Sequence, residues 1–433
     1  MSSSDSVSAE EFRPATASEL CRFLKANVEG PRRPVVPVGG RTSLHFGFER
    51  PRLATQVSLT DLSRVVDYPA RDMTITVEAG LRVSVLTEQL QRENQRLPVD
   101  IAQSYRATIG GAIATNTSGP RRFGHGTLRD CVIGVAAADA GGRLFRAGGR
   151  VVKNVAGYDL CKLLVGSLGT LAVLTEVTLR LRPLPETETL VWCCFDSMEN
   201  LGGLLDRLNT SETRPIAIEL LDARAARHVA AESRQTLPSS GPVLCVGYEG
   251  VREECRWQVQ QLQRELAVGR PRQIVILEPP ETTALWEALT EYPTFSDDPL
   301  SFQASLLPSA TAEFVRKAAA FGVSVQAHAG NGVLVGHLPE ETITLEDVQR
   351  ILMPLQQFAR SHAGSLIILQ CQERWKPHLP VFGPPQPAWC LMRKLKQTFD
   401  PHNLLNPGVF IDRPMTDEGV SVSAGQPPET TTA

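Results

Sequence analysis

Paired glycines flanked by hydroxyl residues recur along this chain, and of all its residues they are the best suited to chemistry. They stand in Gly39-Gly40-Arg41-Thr42-Ser43 and in Thr108-Ile109-Gly110-Gly111 running on to Ser118-Gly119, and related glycine turns stand in Gly148-Gly149-Arg150 and in Gly166-Ser167-Leu168-Gly169-Thr170. Glycine loses more backbone freedom on folding than any other residue, so repeated pairs need a reason. The usual one is close approach of the backbone to something else. Successive bare N–H groups in such turns form concave anion sites, and Ser and Thr hydroxyls between them add donors without bulk. A single loop of this kind would read as a tight turn in a β-rich domain. Several of them read as the cradle of an extended, phosphate-bearing cofactor.

The elements that must position these loops follow from pattern. The chain has 433 residues, 42% hydrophobic and 21% charged, which suits a soluble protein of two or three domains. A net charge of −3 makes no electrostatic case for nucleic acid or an anionic membrane surface. The N-terminus lacks the basic and apolar regions of a signal peptide, so a cytoplasmic location is expected, peripheral to a membrane only through partners. Nine scattered Cys with no C-x-x-C pair fit reduced thiols, with no metal site and no iron–sulfur cluster in this chain.

Periodicity predicts a helix over Ala17–Asn27, strands at Pro34–Val38, Ala54–Leu59 and Thr74–Glu78, and a helix over Val83–Asn94. Leu171, Val173, Thr175, Val177, Leu179 and Leu181 alternate on one strand face, which Pro183 and Pro185 end. Beyond them, strands at Leu190–Phe195, Pro215–Leu221, Val243–Tyr248, Gln273–Leu277, Ser301–Leu306, Val323–His328 and Ser365–Gln370 alternate with helices that include Arg252–Leu266 and Leu345–Arg360. The division expected is a disordered 1–13, a first domain over 14–185, a second over 186–386, a C-terminal helix and tailpiece over 387–412 packing back on the first domain, and a disordered 413–433.

The pieces Val38 to Ser43, Thr108 to Gly111, Val152-Lys153-Asn154-Val155-Ala156-Gly157-Tyr158-Asp159-Leu160 and Gly166 to Leu171 resemble the FAD-binding domain of the vanillyl-alcohol-oxidase (PCMH-type) superfamily. The run Gly149 to Pro183 and the ending Phe399-Asp400-Pro401…Asn406-Pro407-Gly408 are most similar to the E subunit of bacterial glycolate oxidase. The resemblance implies an α+β protein: a two-subdomain PCMH-type FAD-binding domain, then an α+β cap domain with an antiparallel sheet. It implies that Gly39, Gly40, Arg41, Thr42 and Ser43 wrap the FAD pyrophosphate, with Thr108, Gly110 and Gly111 opposite. Ser118 and Gly119 would follow along the cofactor, and Asp159, Gly166, Glu176 and Val177 would lie near its ribityl chain, adenosine or ring edge. Arg41 stands where the family often has a third glycine in an unusual backbone conformation, and either adds a cation near the phosphates or points to solvent. Some relatives attach FAD through a histidine at that same place, so non-covalent FAD is expected. His45 and His125 are the nearby alternatives and read as ordinary loop histidines.

Relatives that oxidise 2-hydroxy acids themselves carry His-x-Gly-Asp-Gly-Asn-x-His and a later Glu-His-Gly. This chain has His328-Ala329-Gly330-Asn331-Gly332, a displaced His337, and Ser361-His362-Ala363-Gly364. Without the motif carboxylates a metal loses a ligand and a base its orienting partner, so His328 reads as a strand-end histidine with a structural hydrogen bond rather than as a catalytic base. Lys153 is either a solvated loop cation or a stabiliser of negative charge on the reduced flavin. Arg374, Trp375 and Lys376 read as a solvated loop, with reception of a carboxylate as the alternative. The function implied is an FAD-binding subunit of a glycolate (D-2-hydroxy-acid) dehydrogenase complex, partnered by a catalytic flavoprotein and an iron–sulfur subunit. The alternatives are a self-contained D-2-hydroxy-acid dehydrogenase and an assembly subunit that has lost FAD.

Overall fold

A computed structural model describes residues 11–51, 53–149, 158–199, 201–294 and 298–411. The first sheet is parallel, with Thr55–Ser58 between Glu11–Phe12 and Val35–Val38. Helix Ala17–Glu29 begins at Thr16, whose hydroxyl accepts from the Glu19 N–H, and buries Leu20 and Leu24 against Val35 and Val57. Val38 is the last residue of its strand, so the chain enters Gly39-Gly40 directly from the sheet.

The second sheet is antiparallel, in the order Val65–Asp67, Thr74–Glu78, Val173–Arg180, Val132–Ala138, Leu144–Gly148. The alternating face read from the sequence is buried from Leu171 to Leu181. One reading needs correction: Ile109–Thr115 is not an open glycine loop but a short helix, started by the Thr108 side chain accepting from the Gly111 N–H. Gly110 permits it, because a β-carbon there would lie 2.9 Å from the Ala79 carbonyl oxygen.

The cap carries one antiparallel eight-stranded sheet in the order Gln273–Leu277, Thr187–Cys194, Val243–Gly250, Ala217–Leu221, Ser324–His328, Val333–His337, Leu300–Ser305, Ser365–Cys371. Strand Val333–His337 has no counterpart in the sequence reading; it forms a hairpin with Ser324–His328 through Gly332, whose φ is +67°. Helices Leu201–Asn209, Arg252–Leu266, Thr311–Ala319 and Leu345–Ser361 cover one face. Ala223–Glu232 and Glu281–Glu291 cover part of the other. The rest of that second face meets the N-terminal half, whose Gly124 N–H donates to the Ile216 carbonyl. Among the described residues no helix is long and apolar enough to cross a membrane.

The two halves are joined by a buried ionic network. Arg121 bonds Asp100 at 2.6 Å and Glu188 at 3.0 Å and lies over the Trp286 ring, while Arg96 and His125 converge on Glu249. Burial pushes the Glu249 carboxyl up, but the hydrogen bond from His125 and the Arg96 charge outweigh it and hold the pKa at about 2. A carboxylate with a depressed folded pKa contributes stability that is complete above its ordinary value of 4.5 and is lost as pH falls from there through about 2. Urea unfolding of Glu249→Gln is therefore expected to show a loss of about 3–5 kcal/mol at neutral pH, the cost of stranding buried partners, and a smaller decline below pH ~4.5 than wild type. Equal midpoints for the two proteins at pH 7 would remove Glu249 from the network.

At the C-terminus, helix Trp389–Phe399 sends the buried Lys396 amine to the carbonyls of Thr170 and Leu405 and to Asp400 at 2.6 Å. Asp400 in turn accepts from the N–H groups of Leu404 and Leu405, and Asn406 bonds the Leu168 carbonyl at 2.8 Å. The tailpiece is thereby fastened to the N-terminal half.

Candidate functional site

Between the first sheet and the helix Ile109–Thr115 lies a cleft open to solvent. Gly39, Gly40, Arg41, Thr42 and Ser43 form one wall, Thr108, Gly110 and Gly111 another, and Ser167, Leu168 and Gly169 a third. Among the described residues, the backbone N–H groups of Gly39 to Ser43 donate to no protein acceptor. Five consecutive open donors in a concave turn form a nest for an anion. The glycines have different tasks. A β-carbon on Gly39 would lie 2.1 Å from Thr108 Oγ1, and one on Gly40 would lie 1.8 Å from the Arg106 carbonyl oxygen, so both serve the packing of one loop against the other. Gly111 alone of the four is nearly unobstructed, with only Thr108 Oγ1 at 3.2 Å.

Arg41 has φ +59°, the left-handed backbone that glycine adopts freely. Its guanidinium turns to Gln56 at 2.5 Å and Glu11 at 3.2 Å rather than standing unpaired in the cleft. The remaining sequence candidates do not line the cleft. The Ser118 hydroxyl accepts from Arg122 at 3.0 Å, and Gly119 backs onto Asp100. Asp159 caps the helix Leu160–Leu164, and Gly166, with φ +79°, donates to the Ile113 carbonyl. Glu176 pairs with Arg146 at 2.7 Å, and Val177 is fully buried in the core of the antiparallel sheet. Lys153 and Arg150 lie outside the described residues.

Two cleft residues carry signals that sequence reasoning missed. Arg50 donates to the Leu44 carbonyl, and its Nε is buried without a partner. Asn406 gives its amide N–H to Leu168 and leaves Oδ1 buried without a partner. The tailpiece motif that contains Asn406 was visible; its arrival in this cleft was not.

A second polar group lies on the cap face that meets the N-terminal half. His328 Nδ1 is 2.8 Å from Glu219 Oε1, both side chains are buried, and Gln326 donates to the same carboxylate at 2.8 Å. This overturns the expectation that His328 lacks an orienting partner: the carboxylate comes from the neighbouring strand instead of the local motif. A neutral ring that gives its Nδ1 proton to a carboxylate keeps a lone pair on Nε2. The helix Arg122–His125 sits alongside, with the Gly124 N–H bonded to the Ile216 carbonyl and the Phe123 ring against Gly330. Burial pulls the Arg122 pKa down, and the Glu219 charge opposes it.

His337 is four residues along its strand from the His328 pairing position and faces Asp298 at 3.1 Å. The 374–376 segment is not a uniformly solvated loop. Arg374 is exposed and bonds Gln372, but Trp375 is buried and the buried Lys376 amine donates to the His45 carbonyl at 2.7 Å. His45 does not line the cleft, and His125 is engaged with Glu249.

Comparison with known proteins bears on this arrangement. The model for an FAD binding domain matches residues 10–148, and the model for the C-terminal domain of FAD linked oxidases matches 184–345 and 385–410. The chain is 27% identical over 416 residues to the mitochondrial D-lactate dehydrogenase (cytochrome) of Arabidopsis thaliana, covering 92% of this chain and 72% of that protein. It is 26% identical to glycolate oxidase subunit GlcD of Bacillus subtilis, covering 91% and 87%. To glycolate oxidase subunit GlcE of Escherichia coli it is 35% identical over 155 residues, 36% of this chain and 44% of that one. Its fold matches the crystal structure of p-cresol methylhydroxylase with substrate bound at a TM-score of 0.70 and 15% identity, covering 92% and 88%. An FAD binding domain followed by the C-terminal domain of FAD linked oxidases, matched together over most of its length, makes the chain an FAD-linked oxidoreductase, folded as p-cresol methylhydroxylase is.

Proposed function

We propose that this chain is the FAD-bearing subunit of a glycolate-oxidase-type complex and takes part in oxidising a short 2-hydroxy acid, with a catalytic flavoprotein subunit and an iron–sulfur subunit as partners. The observation that carries its part in the oxidation is the His328–Glu219 pair on the cap face that meets the FAD-binding half, with Arg122 alongside. The similarity to glycolate oxidase subunits supports the complex.

Bound FAD supplies a two-electron acceptor for the Cα hydride of the substrate. The residues of the chain do the rest. His328 Nε2 takes the hydroxyl proton, Glu219 fixes the ring and balances the imidazolium charge that results, and Arg122 attracts the carboxylate. The open N–H nest holds the pyrophosphate, and Arg41 in the position of a linking histidine leaves the cofactor non-covalent. The His328–Glu219 pair also favours a second reading, a self-contained 2-hydroxy-acid dehydrogenase.

Acid precipitation is expected to release yellow FAD into the supernatant. The purified chain is expected to turn over glycolate and D-lactate slowly with a dye acceptor and to gain activity when co-expressed with its partners. Brisk turnover by the chain alone would replace the complex with the self-contained reading.

A further inference from the structure

Among the described residues, the FAD cleft contains two buried side-chain atoms without a hydrogen-bond partner, and they are of opposite kind. Arg50 Nε is a donor and Asn406 Oδ1 is an acceptor. A buried polar atom left without a partner is costly, so two in one cleft point to a ligand that completes them. Both residues line the same cavity, from different parts of the chain.

Arg50 is held where it is by the cap. Its guanidinium reaches the Leu44 carbonyl, directly after the five open N–H groups, so the cation stands at the end of the nest. The intervening segment is gripped from outside: the Lys376 amine bonds the His45 carbonyl, and Phe46 and Phe48 pack edge-on against Phe382. Glu373, the acidic group whose charge bears on Arg50, already bonds Lys376 at 2.8 Å. The unspent charge at this place is therefore positive. Asn406 cannot turn away either. Its amide N–H is taken by Leu168, its backbone N–H by Val35, and its φ is +42°.

We infer that Arg50 and Asn406 are binding residues for the dinucleotide: Arg50 neutralises the pyrophosphate from the end of the nest, and Asn406 accepts from a ribose or ribityl hydroxyl or from the adenine amine. The chemistry leaves little choice. The pyrophosphate is the one dianionic part of FAD and offers no donor, so it matches Arg50 and cannot match Asn406 Oδ1. The inference rests on the reading of the cleft as the FAD site and adds a side-chain cation to a nest made of backbone.

The test is titration of FAD into the apoprotein, followed by flavin fluorescence, with ADP as competitor. Arg50→Gln is expected to raise the FAD dissociation constant about 10- to 100-fold, as befits loss of a charge-assisted hydrogen bond, and to weaken ADP in parallel. Arg50→Lys, which keeps the charge without the fork, should fall between the two, and it carries the test if the glutamine variant does not fold. Asn406→Leu should weaken FAD about tenfold. Wild-type affinity for FAD and ADP in a folded Arg50→Gln or Arg50→Lys protein would overturn the assignment. Failure of the wild-type apoprotein itself to bind FAD or ADP would instead overturn the reading of the cleft on which the assignment rests.

Discussion

Alanine at Gly40 is expected to yield a protein that purifies without FAD and cannot be reconstituted with it. The added β-carbon would lie 1.8 Å from the Arg106 carbonyl oxygen and 2.5 Å from its carbon. Both are backbone atoms in the turn that leads into the Ile109–Thr115 helix, so no side-chain rotation relieves the overlap. The two loops must separate, and the five open N–H groups of Gly39 to Ser43 then lose their common focus. Wild-type protein should gain about 2.7 kcal/mol of stability at an FAD concentration 100 times its dissociation constant, whereas Gly40→Ala should gain none. Gly111 provides the contrast. An alanine β-carbon there meets only Thr108 Oγ1 at 3.2 Å and should be tolerated, while Gly111→Val would occupy the cleft itself and exclude the cofactor. The cap, whose sheet and cores lie elsewhere, should unfold as in wild type in both cases. Wild-type FAD content in Gly40→Ala would remove this loop from the site.

Loss of His328 is expected to have the second large effect. In the assembled complex, His328→Ala should lower hydroxy-acid turnover about 10²–10⁴-fold while FAD content stays at the wild-type level, because proton abstraction by a positioned base contributes about that much. Glu219→Gln is the more telling change. It preserves the shape of the side chain and the possibility of a hydrogen bond to His328 Nδ1, but removes the charge that balances an imidazolium. A purely structural Glu219 would affect the melting temperature and leave the pH–rate profile in place. A positioning Glu219 shifts that profile and lowers kcat with little change in KM. Full turnover in His328→Ala, with partners present, would mean that the sister subunit carries out the chemistry and this chain relays its electrons.

What the sequence determined by itself was local. The helix Arg252–Leu266 and the strand Gln273–Leu277 lie where periodicity puts them, because amphipathic spacing is written within each segment. Thr344 caps its helix against Asp347, as their spacing implies. The glycine pairs were legible as close-approach turns, because nothing but proximity of other atoms explains them. The identity of those atoms was not legible: Gly40 meets the Arg106 carbonyl and Gly39 the Thr108 hydroxyl, contacts set by how the two subdomains dock. Glycines 110 and 111 also concealed a helical turn, since their poor propensity is outweighed by the Thr108 cap and by packing on Ala79.

The His328–Glu219 pair shows the same division most sharply. His328 and its motif were visible, but its partner Glu219 stands 109 residues earlier and reaches it only because the strands Ala217–Leu221 and Ser324–His328 pair with Glu219 directly opposite His328. A shift of one residue in that register would turn the carboxylate to the other face of the sheet. Arg50 and Asn406 likewise meet in one cleft only after the tailpiece folds back, with Asn406 bonded to Leu168 across 238 residues. Register and domain docking are sums of many weak, long-range contacts, and no short stretch of sequence contains them. The tertiary structure therefore decided which polar atoms were left facing the cleft.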